Sequence, residues 1–209
     1  MTGRDAASGL PPASADLILD TVIELLEADG YEGVQLRTVA KRARLSLSTI
    51  YQRFPSRDAL ILAAVERWMA LKVYQPLPKA APGEALSTAL NRLVNNVYEP
   101  WRLNPKMLDV FLRASRGPGG ERLLPQGVEA ADSYISALLA ELRGQVDQEY
   151  LDDIEMILLS VVQGLLDRFA RGDIDVDQIV LLVERAINRL TSGLVVAVAV
   201  PPSEEFEMD

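Results

Sequence analysis

The 209-residue chain contains neither cysteine nor histidine. That excludes disulfide frameworks, thiolate nucleophiles and thiolate metal sites, and with them catalytic triads, histidine acid–base chemistry and imidazole-ligated metals. Hydrophobic residues make up 49%, enough for a substantial core and against wholesale disorder, while the net charge of −9 argues, as an average, against contact with nucleic acid.

Taken from the N-terminus, residues 1–13 are rich in Gly, Pro, Ala and Ser and read as a mobile arm. No basic stretch followed by an apolar one opens the chain, so no secretion signal is expected. A first helix is predicted from Ser14 or Asp16, with Ile18, Val22, Leu25 and Leu26 at helical spacing and Asp29-Gly30 closing it. A short second helix fits Leu36 to Ala43, burying Leu36, Val39 and Ala40. Arg44-Leu45 then makes a turn, and Ser46 caps a third helix that runs through Arg53. Pro55-Ser56 breaks it, and Ser56 caps a long fourth helix carrying Leu60, Ile61, Ala64, Val65 and Trp68.

Pro76, Pro78 and Pro82 mark a linker that cannot be helical. Further helices are predicted over about 83–102, 105–115, 125–143, 148–171 and 176–191. Asn104-Pro105, Gly117-Pro118-Gly119-Gly120, Gly144 and Gly172-Asp173 separate them. The alternating run Val195 to Val200 fits a short strand, a packed arm or a helix extension. The apolar stretch from Gly193 to Val200 is too short to span a bilayer, and Pro201 to Asp209 forms an acidic tail. A cytoplasmic protein with no membrane partner is expected.

The charge is unevenly distributed. Between Gln35 and Arg57 lie Arg37, Lys41, Arg42, Arg44, Arg53 and Arg57 with no acid among them; removing that +6 from the total of −9 leaves −15 on the rest. A basic patch on an acidic body suits local phosphate contact. The same stretch has the physics of two short helices crossing over a tight turn. Ala40 permits close approach, Leu45 fills the angle between the helices, and Ile50 buries the back of the second. The cap at Ser46 leaves helix-start N–H groups able to meet a phosphate. Leu47, Ser48, Thr49, Tyr51, Gln52 and Arg53 remain on the outer face, where hydroxyls and an amide suit base edges and phosphates, and Leu47 suits a thymine methyl.

At these residues the chain resembles the tetracycline-repressor (TetR) family. Gly30-Tyr31, Val39-Ala40, Ala43-Arg44-Leu45-Ser46, Ser48-Thr49-Ile50-Tyr51, Arg53-Phe54 and Ser56-Arg57-Asp58-Ala59-Leu60 follow the family's head pattern in order and without a gap. Three departures stand out. Arg44 occupies the turn position where the family has glycine, which implies a strained residue or an altered turn. Ser48 replaces a second common glycine, and the arm before the first helix carries only Arg4 where relatives are basic. The resemblance implies an all-α fold of about nine helices: a head at 14–55, a ligand-binding and dimerisation body at 56–192, and a tail at 193–209. It assigns contact with double-stranded operator DNA to Arg37, Thr38, Ser48, Thr49, Tyr51, Gln52 and Arg57, with Tyr51 and Thr38 on phosphates. Lys41 adds electrostatic attraction and Leu47 apolar contact; Arg42 and Arg53 either contact DNA or are solvated or ion-paired.

For the body, the resemblance implies a homodimer formed by the last two helices, with Ile157, Val161, Leu165, Ile179, Val183 and Ile187 at the interface. Two recognition helices about 34–36 Å apart would then read an approximately palindromic operator. It also implies a small-molecule effector in a cavity lined by Trp68, Tyr98, Trp101, Met107, Phe111, Tyr134 and Leu138. Asn104-Pro105-Lys106-Met107-Leu108 and Arg113-Ala114 are similar to a segment of actinobacterial repressors of steroid catabolism, which points to an apolar effector such as a steroid or acyl thioester. No cofactor, metal or catalytic residue is expected. Two other classes compete: a helical adaptor whose basic turn binds an acidic partner, and an enzyme built on Asp152, Asp153 and Glu155. Those three carboxylates are already explained by the favourable dipole at a helix N-terminus.

Overall fold

A computed structural model describes residues 12–74, 84–123 and 147–192 of the chain. Within them lie eight α-helices: α1 (Pro12–Asp29), α2 (Leu36–Ala43), α3 (Leu47–Arg53), α4 (Arg57–Lys72), α5 (Leu86–Leu103), α6 (Pro105–Ser115), α7 (Gln148–Ala170) and α8 (Val176–Thr191). Single 3-10 turns occupy Tyr31–Gly33 and Gly120–Arg122. The all-α expectation holds, and the helix count is close to the nine expected. The helix predicted over 125–143, the proline linker, the 195–200 run and the acidic tail lie outside the described residues.

The caps explain the boundaries. Ser46 accepts from the Thr49 N–H at 3.1 Å and starts α3; Ser56 accepts from the Ala59 N–H at 3.0 Å and starts α4. Asp175 and Gln178 form a reciprocal capping box at the start of α8. Gly120 closes the turn after α6 so tightly that a Cβ there would lie 1.9 Å from the Ala114 carbonyl oxygen.

The chain folds as two compact units, and they do not part at residue 55. Within the described residues, one unit comprises 12–71 and 106–123, the other 72–74, 84–105 and 147–192. The first therefore gathers α1 to α4 and also α6. Ile18, Val22 and Leu26 of α1, Leu60, Ile61 and Val65 of α4, and Met107 of α6 are at most 1% exposed, so the two-helix motif stands on a continuous apolar base. Polar ties reinforce it. The Trp68 indole donates to Glu27 at 2.8 Å, Arg67 pairs with Asp20 at 2.7 Å and Asp16 at 3.1 Å, and Arg122 pairs with Glu66 at 2.7 Å.

In the second unit α8 packs against both α5 and α7. Asn91 donates to Asn188, Asn95 to Glu184 and Arg102 to Asp177, so α5 and α8 run antiparallel with a polar seam along one edge. The apolar face of α8 turns inward: Ile179, Val183 and Ile187 are at most 1% exposed.

Candidate nucleic-acid interface

Leu36 to Ala43 forms α2 because Val39, Ala40 and Ala43 bury one face while Arg37, Lys41 and Arg42 remain exposed on the other. The helix stops where Arg44 enters the left-handed region (φ 55°, ψ 40°), and the Leu45 N–H reaches back to the Ala40 carbonyl at 2.9 Å. The turn thus puts an arginine in a conformation for which glycine is the unstrained choice. A left-handed non-glycine residue costs about 1–2 kcal/mol, so, net of glycine's greater unfolded-state entropy, Arg44→Gly should raise stability by about 1 kcal/mol, seen as a higher melting temperature. A melting temperature that falls by several degrees would show that the Arg44 side chain itself supports the turn.

α3 is anchored by Ile50, which is 0% exposed, and by the cap at Ser46. The Ser46 hydroxyl also lies 2.8 Å from the hydroxyls of Ser48 and Thr49, giving three clustered hydroxyls at the start of the helix. Leu47, Ser48, Tyr51, Gln52 and Arg53 project outward; Thr49 is half-buried. Beside them, Arg37, Thr38, Lys41 and Arg42 line an open cleft along α2. The motif thus presents its cations and its hydrogen-bonding groups to solvent.

Those cations are uncommitted. Arg67, Arg92, Arg102, Arg113, Arg122 and Arg171 each hold a carboxylate. Arg37, Lys41, Arg42, Arg44 and Arg53 have no ion-pair partner among the described residues. Arg42 and Arg53 are both exposed. Uncommitted guanidinium and ammonium groups can exchange small counterions for phosphates without first breaking an internal bond.

Arg57 is the exception. Its Nε donates to the Val34 carbonyl at 2.6 Å, and a second nitrogen donates to the Tyr31 carbonyl. Its guanidinium lies 4.8 Å from the centre of the Tyr31 ring and 3.5 Å from the Glu32 carboxylate. The side chain is therefore turned inward, satisfying backbone carbonyls of the turn after α1.

Sequence reasoning missed the partners in this cluster. Tyr31 donates its hydroxyl to Asp58 at 2.8 Å, and Arg113 from α6 stacks 4.2 Å from the same ring while donating to Glu32 at 2.7 Å. The Arg113 hydrogen bond holds the exposed Glu32 carboxyl below its ordinary range, and partial burial raises the Tyr31 phenol above its own. Tyr31 lies within the family pattern, but no local spacing links it to Arg113.

The other expected sites distribute as follows. Trp68, Met107 and Phe111 lie in the core of the first unit, at 2%, 0% and 5% exposure. Tyr98 and Trp101 are buried in the second, where burial raises the Tyr98 phenol above its usual range. Tyr134 and Leu138 fall outside the described residues. Among the residues expected at a dimer face, Ile179, Val183 and Ile187 are at most 1% exposed and Leu165 7% in the single chain, so they are corrected to core. Ile157 is 40% exposed and Val161 half-buried. The exposed apolar side chains of these helices include Met156, Ile157 and Leu159 on α7 and Leu181 on α8. Among the described residues no cluster of acidic side chains is arranged to hold a metal ion, and no helix is long and apolar enough to cross a membrane.

Comparison with known proteins gives two family matches. Residues 18–64 match the model of bacterial regulatory proteins of the tetR family, and residues 83–190 match a tetracyclin repressor-like C-terminal domain. Among curated proteins, the chain is 31% identical over 97 residues to the HTH-type transcriptional repressor KstR of Mycobacterium tuberculosis, covering 46% of this chain and 44% of that protein. It is 27% identical over 110 residues to KstR of Rhodococcus jostii, covering 53% and 51%. The chain thus spans about half the length of the curated relatives it matches. Among solved structures, a TetR-like transcriptional regulator from Rhodococcus sp. RHA1 superposes with a TM-score of 0.55 at 22% identity, covering 89% of this chain and 100% of that one. The regulator SCO7222, a TetR from Streptomyces coelicolor, gives 0.59 at 16% identity, covering 89% and 99%. At these identities the structural likeness speaks for the fold.

Proposed function

This chain belongs to the tetracycline-repressor family of bacterial regulatory proteins, and we propose that it acts there as a repressor that binds an approximately palindromic double-stranded operator as a homodimer and is released by a small apolar ligand. The observation that carries this reading is the outer face of α2, α3 and the turn between them: five cations without carboxylate partners among the described residues, beside the outward Ser48, Tyr51 and Gln52. In the proposed interface Arg37, Lys41, Arg42 and Thr38 meet phosphates, Tyr51 meets a phosphate, and Gln52, Ser48, Thr49 and Leu47 meet base edges. Arg57 has no part in it. The protein would work in the cytoplasm, where its operator lies.

The dimer face we propose is the outer side of α7 with Leu181 of α8. Met156 is 61%, Ile157 40%, Leu159 37% and Leu181 45% exposed. Gly164 supports this choice: it sits in the interior of α7, and a Cβ placed there would meet nothing within 4 Å. A glycine in a helix interior costs about 1 kcal/mol relative to alanine, and packing among the described residues gives no return for it. Close approach of a second copy of α7 would. The effector would be apolar, a reading supported by the similarity of residues 104–108 and Arg113-Ala114 to the steroid-catabolism repressors. It would act by binding better to a state with low DNA affinity.

The test is selection of binding sites from random duplex DNA, followed by affinity measurements at several salt concentrations. The expected result is an enriched sequence with approximate two-fold symmetry and an affinity that falls steeply with salt, by a log–log slope of about −0.9 per phosphate contacted. Absence of sequence-selective binding at every salt concentration would overturn the reading in favour of an adaptor whose basic turn holds an acidic protein.

A further inference from the structure

We propose that Tyr31, gripped between Arg57 of α4 and Arg113 of α6, is the point at which α6 sets the position of the DNA-binding motif, and that Arg113 is a positioning residue for operator binding. The inference rests on the operator-binding reading above. It starts from the turn that joins α1 to α2. Gly30 has a positive φ (71°) that favours glycine, and at Gly33 a Cβ would lie 2.3 Å from the Asp29 Cβ, so the chain makes a tight corner that leaves backbone carbonyls needing donors. Arg57 supplies them from the first turn of α4, at Val34 and Tyr31. α6 holds the same region at two places, two helical turns apart. Lys106 donates to the Ala28 carbonyl at 2.5 Å, and Arg113 donates to Glu32 at 2.7 Å while stacking on Tyr31. Glu32 takes both arginines, and Asp58 takes the Tyr31 hydroxyl, so two cations meet two carboxylates around one ring.

A cluster this exposed is poorly placed to hold the fold together. The side chains of Glu32 and Arg113 are 74% and 44% exposed, and exposed ion pairs and cation–π contacts contribute little individually. Burial of α1, α4 and α6 against one another already supplies the cohesion of the unit. What the cluster adds is direction, because a guanidinium stacked on a ring and bonded to a carboxylate has one productive orientation. It thereby fixes the corner from which α2 departs. A motif held at a fixed angle loses less freedom on meeting DNA than one that must be ordered on binding, so releasing the grip should weaken the complex.

The experiment uses the full chain and the duplex obtained by selection, with affinity followed against salt for the wild type, Arg113→Ala, Arg113→Lys, Tyr31→Leu and the Arg113→Ala/Tyr31→Leu double variant. The expected result is an affinity for operator about fivefold to tenfold weaker in Arg113→Ala, with the salt slope unchanged because no phosphate contact is lost. The melting temperature should move by no more than about 3 °C. Arg113→Lys should recover part of the loss, and the double variant should bind no worse than Tyr31→Leu alone. Unchanged affinity in Arg113→Ala, losses that multiply in the double variant, or a shallower salt slope would each overturn the positioning role while wild-type binding stands. A wild type that selects no duplex overturns the operator-binding reading itself.

Discussion

Replacing Tyr51 and Gln52 together by alanine is expected to lower operator affinity by at least about two orders of magnitude while leaving a folded chain of unchanged oligomeric state. The size follows from symmetry. A bidentate amide contact to a base is worth about 1–3 kcal/mol, and a two-fold complex loses it twice. The folded state should be indifferent, because neither side chain holds α3 in place. Tyr51 is 52% exposed and Gln52 also projects outward, whereas Ile50 is fully buried and the Ser46 cap and the Phe54 N–H bond to the Ile50 carbonyl close the two ends. Alanine is also a better helix former than either residue. The single variants separate the two roles. Gln52→Ala should relax the preference at one base position of each half-site, and Tyr51→Ala should weaken all sequences alike. Operator affinity unchanged in both single variants would remove α3 as the reading element.

The head was legible because its signals are local. Ser46 and Ser56 sit one residue before the helices they cap, Ile50 is the apolar residue on the inner side of a polar helix, and the turn between α2 and α3 falls at Arg44-Leu45 as expected. Arg57 shows where local reasoning ends. It closes a run of basic residues in the sequence, but its acceptors lie 23 and 26 residues away, so only the tertiary fold reveals that it is already committed. The inclusion of α4 and α6 in the head's unit was hidden for the same reason: an apolar stripe on a helix does not name its partner. The dimer face illustrates a further ambiguity. Ile179, Val183 and Ile187 form the most regular stripe on α8, and regularity marked the face packed on α5 and α7, whereas Leu181 lies off that stripe. Gly164 carried no sequence signal at all; it becomes informative only once the space around it is seen to be empty.

Gly164→Arg is therefore expected to have opposite effects on the two levels of structure. In the single chain the substitution replaces a poor helix former by a good one and meets no atom within 4 Å at the Cβ, so the fold should gain about 0.8 kcal/mol. Between two chains the same side chain would place a charge and a long stem where two copies of α7 are proposed to cross, and the dimer should dissociate. Ile157→Asp should act in the same direction from the neighbouring exposed position. Sedimentation at concentrations where the wild type is dimeric reads the first consequence. Operator binding reads the second: once the two heads are unlinked, the full palindrome loses the effective-concentration advantage, about 10²- to 10⁴-fold. Affinity for an isolated half-site should stay at the wild-type level, because α2 and α3 are untouched. The contrast between full site and half-site distinguishes lost pairing from a damaged head. A variant that remains dimeric with full-site affinity intact would place the crossing of the two copies away from the outer face of α7, and would leave an exposed mid-helix glycine without a structural reason.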